Sequence, residues 1–257
     1  MVVVAIAGLF ILCWRQPESV SLSSDGASNV LQAWARLHGN LLLHNWRVSD
    51  VSFYTTELPQ YALIESVLGL GAWVVHVGAA MTYTLLVVLA GWLAKGQARG
   101  RASLARVVLA AGVMVAPQLS ATQIVLPSPD DTGTAVPVLV TWLVIDRITP
   151  GRWKAARWFV PLVVFLVLTW TMIADSIVLI TCIAPLVLVC LIRACPGLIR
   201  RGERPASRWY ELSLAGAAAV AGGLGSAVRP ARHQPAAGRL AGRARAHRRA
   251  GRLLAGQ

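Results

Sequence analysis

The stretch YALIESVLGLGAWVVHVGAAMTYTLLVVLAGWLA, Tyr61 to Ala94, runs for 34 residues with Glu65 as its one acid and no Lys or Arg before Lys95. A bilayer core about 30 Å thick is crossed by roughly 20 apolar helical residues, so this stretch is longer than one crossing requires. It is read as a short outer helix around 60 to 71 followed by a crossing from about 73 to 94. Apolar runs of similar character recur on both sides of it. Val107 to Leu126, Thr134 to Ile145, Trp158 to Ala174 and Ile177 to Ile192 are further crossings, and Leu212 to Leu224 is a weaker Ala- and Gly-rich run that stops early. Met1 to Cys13 is too short to span and has neither the basic start nor the cleavage site of a signal peptide. It is read as the outer part of a first crossing ending at Trp14 and Arg15, with the gene's true start upstream.

The fold class expected is therefore all-α, a polytopic transmembrane helix bundle of about six to seven crossings with a long extracytoplasmic first loop, 15 to 60. Composition agrees: the chain of 257 residues is 56% hydrophobic and 14% charged, with a mean hydropathy of +0.61, too apolar for a soluble domain of that length. Lys95, Arg99, Arg101 and Arg106, then Arg147, Arg152, Lys154 and Arg157, then Arg193, Arg200, Arg201, Arg204 and Arg208 fill one set of turns. Eight of the 11 acids (Glu18, Asp25, Asp50, Glu57, Glu65, Asp130, Asp131 and Asp175) lie in or beside the other set. Short loops rich in Lys and Arg stay in the cytoplasm, which puts the chain in the inner membrane and the acidic face outside. The net charge of +13 is then a topology signal, and no nucleic-acid partner is expected. Of the four cysteines, Cys13, Cys182 and Cys190 fall within apolar runs and Cys195 just beyond one, so no disulfide framework is implied.

Residues 1 to 220 form the expected bundle, and 221 to 257 stand apart. From Gly222 onward there are eight Arg, two His and no acid. Two readings apply: a basic disordered tail that binds anionic lipid, or a frameshift in a GC-rich gene that cuts a longer membrane protein in its seventh helix. The second is preferred.

Candidate chemistry gathers in the first outer loop. Asp25 opens it in Ser23-Ser24-Asp25-Gly26-Ala27-Ser28-Asn29. A carboxylate there can act as a general base or hold a divalent cation, and it equally suits a cap for the following helix. That helix is expected near 26 to 44, with Val30, Trp34, Leu37 and Leu41 as its apolar stripe. Asp50, Tyr54, Glu57, Gln60 and Tyr61 form a polar and aromatic approach to the next crossing, a composition that suits sugar binding and also suits any membrane interface. His76, within a crossing, is either a functional group or a satisfied hydrogen-bonding one. His38 and His44 read as surface or interface residues. Asp130 and Asp131, in the Pro-rich second outer turn, and Asp175 in the third can approach Asp25 if the bundle closes, to hold a metal or a polyol; turn chemistry explains the Asp pair as well. No nucleotide-binding loop, nucleophile elbow or HExxH helix is present.

With a first crossing, a long outer loop opening on an Asp, the segment Thr56-Glu57-Leu58-Pro59-Gln60-Tyr61 and the Ser128-Pro129-Asp130 turn, the layout resembles the GT-C class of polytopic glycosyltransferases, which includes the protein mannosyltransferases and aminoarabinose transferases. Residues Ser24 to Tyr83, with the turn Ser128 to Thr134, are more closely similar to an uncharacterised group of multi-pass proteins from GC-rich bacteria. The resemblance implies transfer of a sugar from a polyprenyl-phosphate donor on the extracytoplasmic face, with Asp25 as the base or metal-holding carboxylate. Gly26 stands where those families often carry a second acid, and their later half is missing, so an inactive fragment is within the expectation. The rival reading is a membrane transporter or a non-catalytic scaffold.

Overall fold

A computed structural model describes residues 2–15, 24–44, 46, 53–115, 132–148, 156–195 and 205–228. Among the described residues every regular element is a helix: α1 Val2–Arg15, α2 Ser24–Leu37, α3 Glu57–Leu68, α4 Trp73–Lys95, α5 Gly100–Val115, α6 Thr132–Arg147, α7 Ala156–Ala174, α8 Ala184–Ala194 and α9 Pro205–Val228. A π-helical turn, Leu179–Ile183, leads directly into α8.

The long apolar stretch divides where expected. Gly69 takes a φ of +81°, a conformation open to glycine at no steric cost, and its N–H donates to the Glu65 carbonyl at 2.8 Å. The chain then turns through Leu70 and Gly71 into α4. This α4 is the hub: α1, α3, α5 and α6 all pack against it, and α6 in turn packs against α7.

Two apolar cores result. One joins α2, α3 and α4 through Val30, Ala33, Leu58, Tyr61, Ile64, Val74 and Val75. The other joins α7, the π turn, α8 and α9 through Val164, Leu168, Met172, Cys182, Leu186, Leu214 and Ala218. The four cysteines stand as free thiols.

Among the described residues two helices, Trp73–Lys95 and Arg208–Val228, are long and apolar enough to cross a membrane, and Val3–Arg15, Trp158–Ala174 and Leu179–Ala194 are shorter apolar helices. The second long one is the run that looked weakest in the sequence. It extends to Val228, beyond the 220 boundary expected for the bundle, because small residues let it approach its neighbours. Ala215, Ala218 and Ala221 are buried. A Cβ at Gly222 would lie 3.3 Å from Leu179, and one at Gly225 would fall on the Met172 side chain. Residues 229 to 257 lie outside the described residues.

The α2 helix ends at Leu37, earlier than 44, at a turn in which Gly39 takes a φ of +94°. Its buried face is Gly26, Asn29, Val30, Gln32 and Ala33, whereas Leu37 and Leu41 of the expected stripe are exposed.

Candidate functional site

Residues 53 to 61 hold four helices together, each through a different side chain. Phe53 is buried with a φ of +46°, unusual for a bulky residue, and this bend lets its carbonyl accept the Leu58 N–H at 3.1 Å. Tyr54 ties the segment to α2 and the turn after it: its carbonyl accepts Arg36 Nη1 at 3.0 Å, the guanidinium lies 4.4 Å above its ring, and its hydroxyl donates to the Leu41 carbonyl.

Thr55 ties it to α7. The Thr55 hydroxyl donates to the Trp170 carbonyl at 2.8 Å, and the Trp170 indole N–H donates to the Thr55 carbonyl at 2.9 Å.

Glu57 reaches α6. Its side chain is 1% exposed, the Thr56 hydroxyl donates to its Oε2, and a Cβ placed on Gly133 would collide with the carboxylate. The carboxylate therefore sits against the first turn of α6, where backbone N–H groups lack helical acceptors and a negative charge complements the helix dipole. Gly133 permits that approach.

Gln60 and Tyr61 bind α4. Gln60 Nε2 donates to the Gly78 carbonyl at 3.0 Å and its Oε1 accepts the Thr82 hydroxyl at 2.9 Å. Tyr61 is buried against Gly78, whose Cβ, if it had one, would lie 2.6 Å from the Tyr61 ring.

Beneath this segment lies a cavity of about 1170 Å³. Its walls are apolar: Ile6 and Phe10 of α1, Leu85 and Val88 of α4, Val136 and Val140 of α6, Leu166 of α7. Thr55, Thr56, Gln60, Thr82 and Gly133 supply polar groups to it. Pro137 has no N–H to offer the Gly133 carbonyl, which adds a backbone acceptor deprived of its helical donor. An apolar cavity with hydroxyls and an amide beside the 53–61 segment has the composition of a ligand pocket, mostly hydrocarbon walls with a few polar groups.

Of the residues expected from sequence, the structure brings Tyr54, Glu57, Gln60 and Tyr61 together, with Gln60 lining the cavity. Asp25 is exposed in the first turn of α2, the position of a charge that complements the helix dipole, and does not line the cavity. His76 is half-buried on α4 and does not line it either. Asp50, Asp130 and Asp131 lie outside the described residues. Asp175 is buried and its Oδ1 accepts the Ile177 N–H at 2.9 Å, the arrangement of a turn. Among the described residues no three His, Cys, Asp or Glu side chains gather as a metal site.

Thr55, Thr82, Gly133 and Trp170 join the site only through folding. Thr82 and Thr84, two hydroxyls within an apolar run, are the sign of it available in the sequence. Glu65 is not among the site residues expected from sequence. It is 2% exposed, neither carboxylate oxygen has a hydrogen-bond partner among the described residues, and burial pushes its carboxyl up to about 7.

No protein-family model, curated protein or solved structure matches this chain.

Proposed function

We propose that the chain is a multi-pass membrane protein that binds a polyprenyl-phosphate sugar donor and acts as a glycosyltransferase at the extracytoplasmic face. In this reading the bundle crosses the membrane six to seven times, the Lys- and Arg-rich turns are cytoplasmic, and segment 15 to 60 lies outside. The observation that carries it is the cavity, with its hydrocarbon walls and the hydroxyls and amide of Thr55, Thr56 and Gln60 beside them.

The outer surface supports the membrane setting. Val113 is 70% exposed, Trp158 is 78% exposed, and Leu104, Val108, Leu109, Phe159 and Leu162 are exposed as well. Apolar surface on this scale is expected to face lipid or a partner. The cavity takes the isoprenoid chain, and the phosphate and sugar lie toward the 53–61 segment.

Asp25 as the base rests on the resemblance to GT-C enzymes. Protein reconstituted with a labelled polyprenyl-phosphate sugar is expected to transfer it, and Asp25→Asn to abolish transfer while leaving lipid binding intact. Transfer unchanged in Asp25→Asn would remove Asp25 from the mechanism. Lipid binding without transfer in the wild type would reduce the reading to a lipid-binding scaffold.

A further inference from the structure

At the far end of α4 and α6 from the 53–61 segment, the basic turn after α4 meets the last residues of α6. Gly78 and Lys95 are separated by 17 residues of α4 and Gly133 and Arg147 by 14 of α6, so at 1.5 Å per residue the two ends lie roughly 21 to 25 Å apart. The link is Arg147, whose Nη2 donates to the Trp92 carbonyl at 2.9 Å and whose guanidinium lies 6.0 Å from the Trp92 ring.

Between that turn and the end of α6 is a second cavity, of about 310 Å³, walled by Lys95, Gly96, Gln97, Ala98 and Arg99 on one side and Asp146 and Arg147 on the other. Its single carboxylate, Asp146, lies 3.3 Å from Arg147 Nε and is engaged there. Three cations against one anion leave a charge of +2 in one concave site.

We propose that this cavity binds a phosphate group, as the head group of an anionic phospholipid or as a free phosphate ester. With Nε against Asp146 and Nη2 on the Trp92 carbonyl, the Arg147 guanidinium is held in place and keeps its Nη1 N–H groups for a phosphate oxygen, while Lys95 and Arg99 on the opposite wall supply two further cations. Gly96, with a φ of +53°, turns the backbone between them, and Arg106 Nη1 stands 4.0 Å from where a Gly96 Cβ would be, bringing a fourth cation to the edge. The volume is at the lower end of ligand sites, about 300 to 1,000 Å³, and admits a phosphate with a small polar substituent. Trp92, 54% exposed, and Leu104 and Val108 beside the turn offer apolar surface along which acyl chains would run.

Charge that merely sets topology requires Lys and Arg in a loop and no convergence on a ligand. The two explanations therefore separate on position. Arg101 belongs to the same turn and carries the same charge but does not wall the cavity.

The test is native mass spectrometry of the full chain in detergent, titrated with phosphatidylglycerol, phosphatidylcholine and inorganic phosphate. Saturable binding of one phosphatidylglycerol per chain is expected, weakened about tenfold or more by the Lys95→Gln/Arg99→Gln pair and less than about twofold by Arg101→Gln. Both paired side chains are exposed, and unchanged melting of the pair will verify that it is folded. Displacement of the lipid by inorganic phosphate identifies a site for phosphate itself; retention of the lipid identifies the head group in its membrane setting. Equal losses in the pair and in Arg101→Gln, or no preference for phosphatidylglycerol with no phosphate bound, would overturn the site. The phosphate arm does not depend on the glycosyltransferase reading, so the two can fail separately.

Discussion

Thr55 and Trp170, separated by 115 residues in the chain, hold each other by two reciprocal bonds, each side chain donating to the other's backbone carbonyl. The bonds fasten α7 to the segment that borders the apolar cavity, and both residues line that cavity. Removing either donor leaves a carbonyl without its partner.

Thr55→Val and Trp170→Phe are each expected to cost about 1 kcal/mol of stability, the usual net worth of one such bond. Because each bond positions the partner of the other, the double variant is expected to cost less than the sum. Thermal melting of the four proteins in one detergent tests this; strict additivity would mean that the two bonds act independently.

Gly133→Ala places a methyl group where the Glu57 carboxylate lies. Overpacking of a well-filled site costs about 1 to 3 kcal/mol, and Glu57 cannot withdraw without leaving the first turn of α6. Combining Gly133→Ala with Glu57→Ala relieves the collision, so the pair is expected to melt no lower than Gly133→Ala alone. A pair that melts much lower would show that the carboxylate contributes elsewhere.

Glu65 predicts a pH dependence of definite sign. Its carboxyl is raised from an ordinary value of 4.5 to about 7 by burial, so between those values the folded protein holds a proton that the unfolded chain has released. Stability is therefore expected to fall as pH rises from about 4.5 to about 7 and to level off above, since the folded chain must then bury the charge. Glu65→Gln keeps the shape without the charge and is expected to flatten that slope and to melt higher than wild type at pH 8. An identical slope in Glu65→Gln would assign the dependence to another group.

The helical class and the division of the long apolar stretch are legible in the sequence, because an apolar run of 34 residues exceeds one crossing and basic residues close the run at Lys95. The sequence also revealed four of the residues in the 53–61 segment, since polar and aromatic side chains stand out beside an apolar run. It did not reveal their partners: Trp170, Gly133 and Thr82 are ordinary helix residues until folding brings them to that segment. The last helix was underestimated for a physical reason. Ala and Gly contribute little to hydropathy, yet Ala215, Ala218, Gly222 and Gly225 are what allow α9 to lie close against α7 and the π turn. Asp25, prominent in the sequence as the acid opening the loop, stands exposed on α2 away from the cavity lining.

The most direct test of the account is photo-crosslinking of the reconstituted protein with a polyprenyl phosphate carrying a diazirine in its isoprenoid chain, followed by peptide mapping. Labels are expected on Val88, Val136, Val140 and Leu166, with a marked loss of labelling in Val140→Trp, which fills the slot. Labels confined to the outward residues Leu109 and Val113 of α5, unaffected by Val140→Trp, would contradict the cavity as the lipid site.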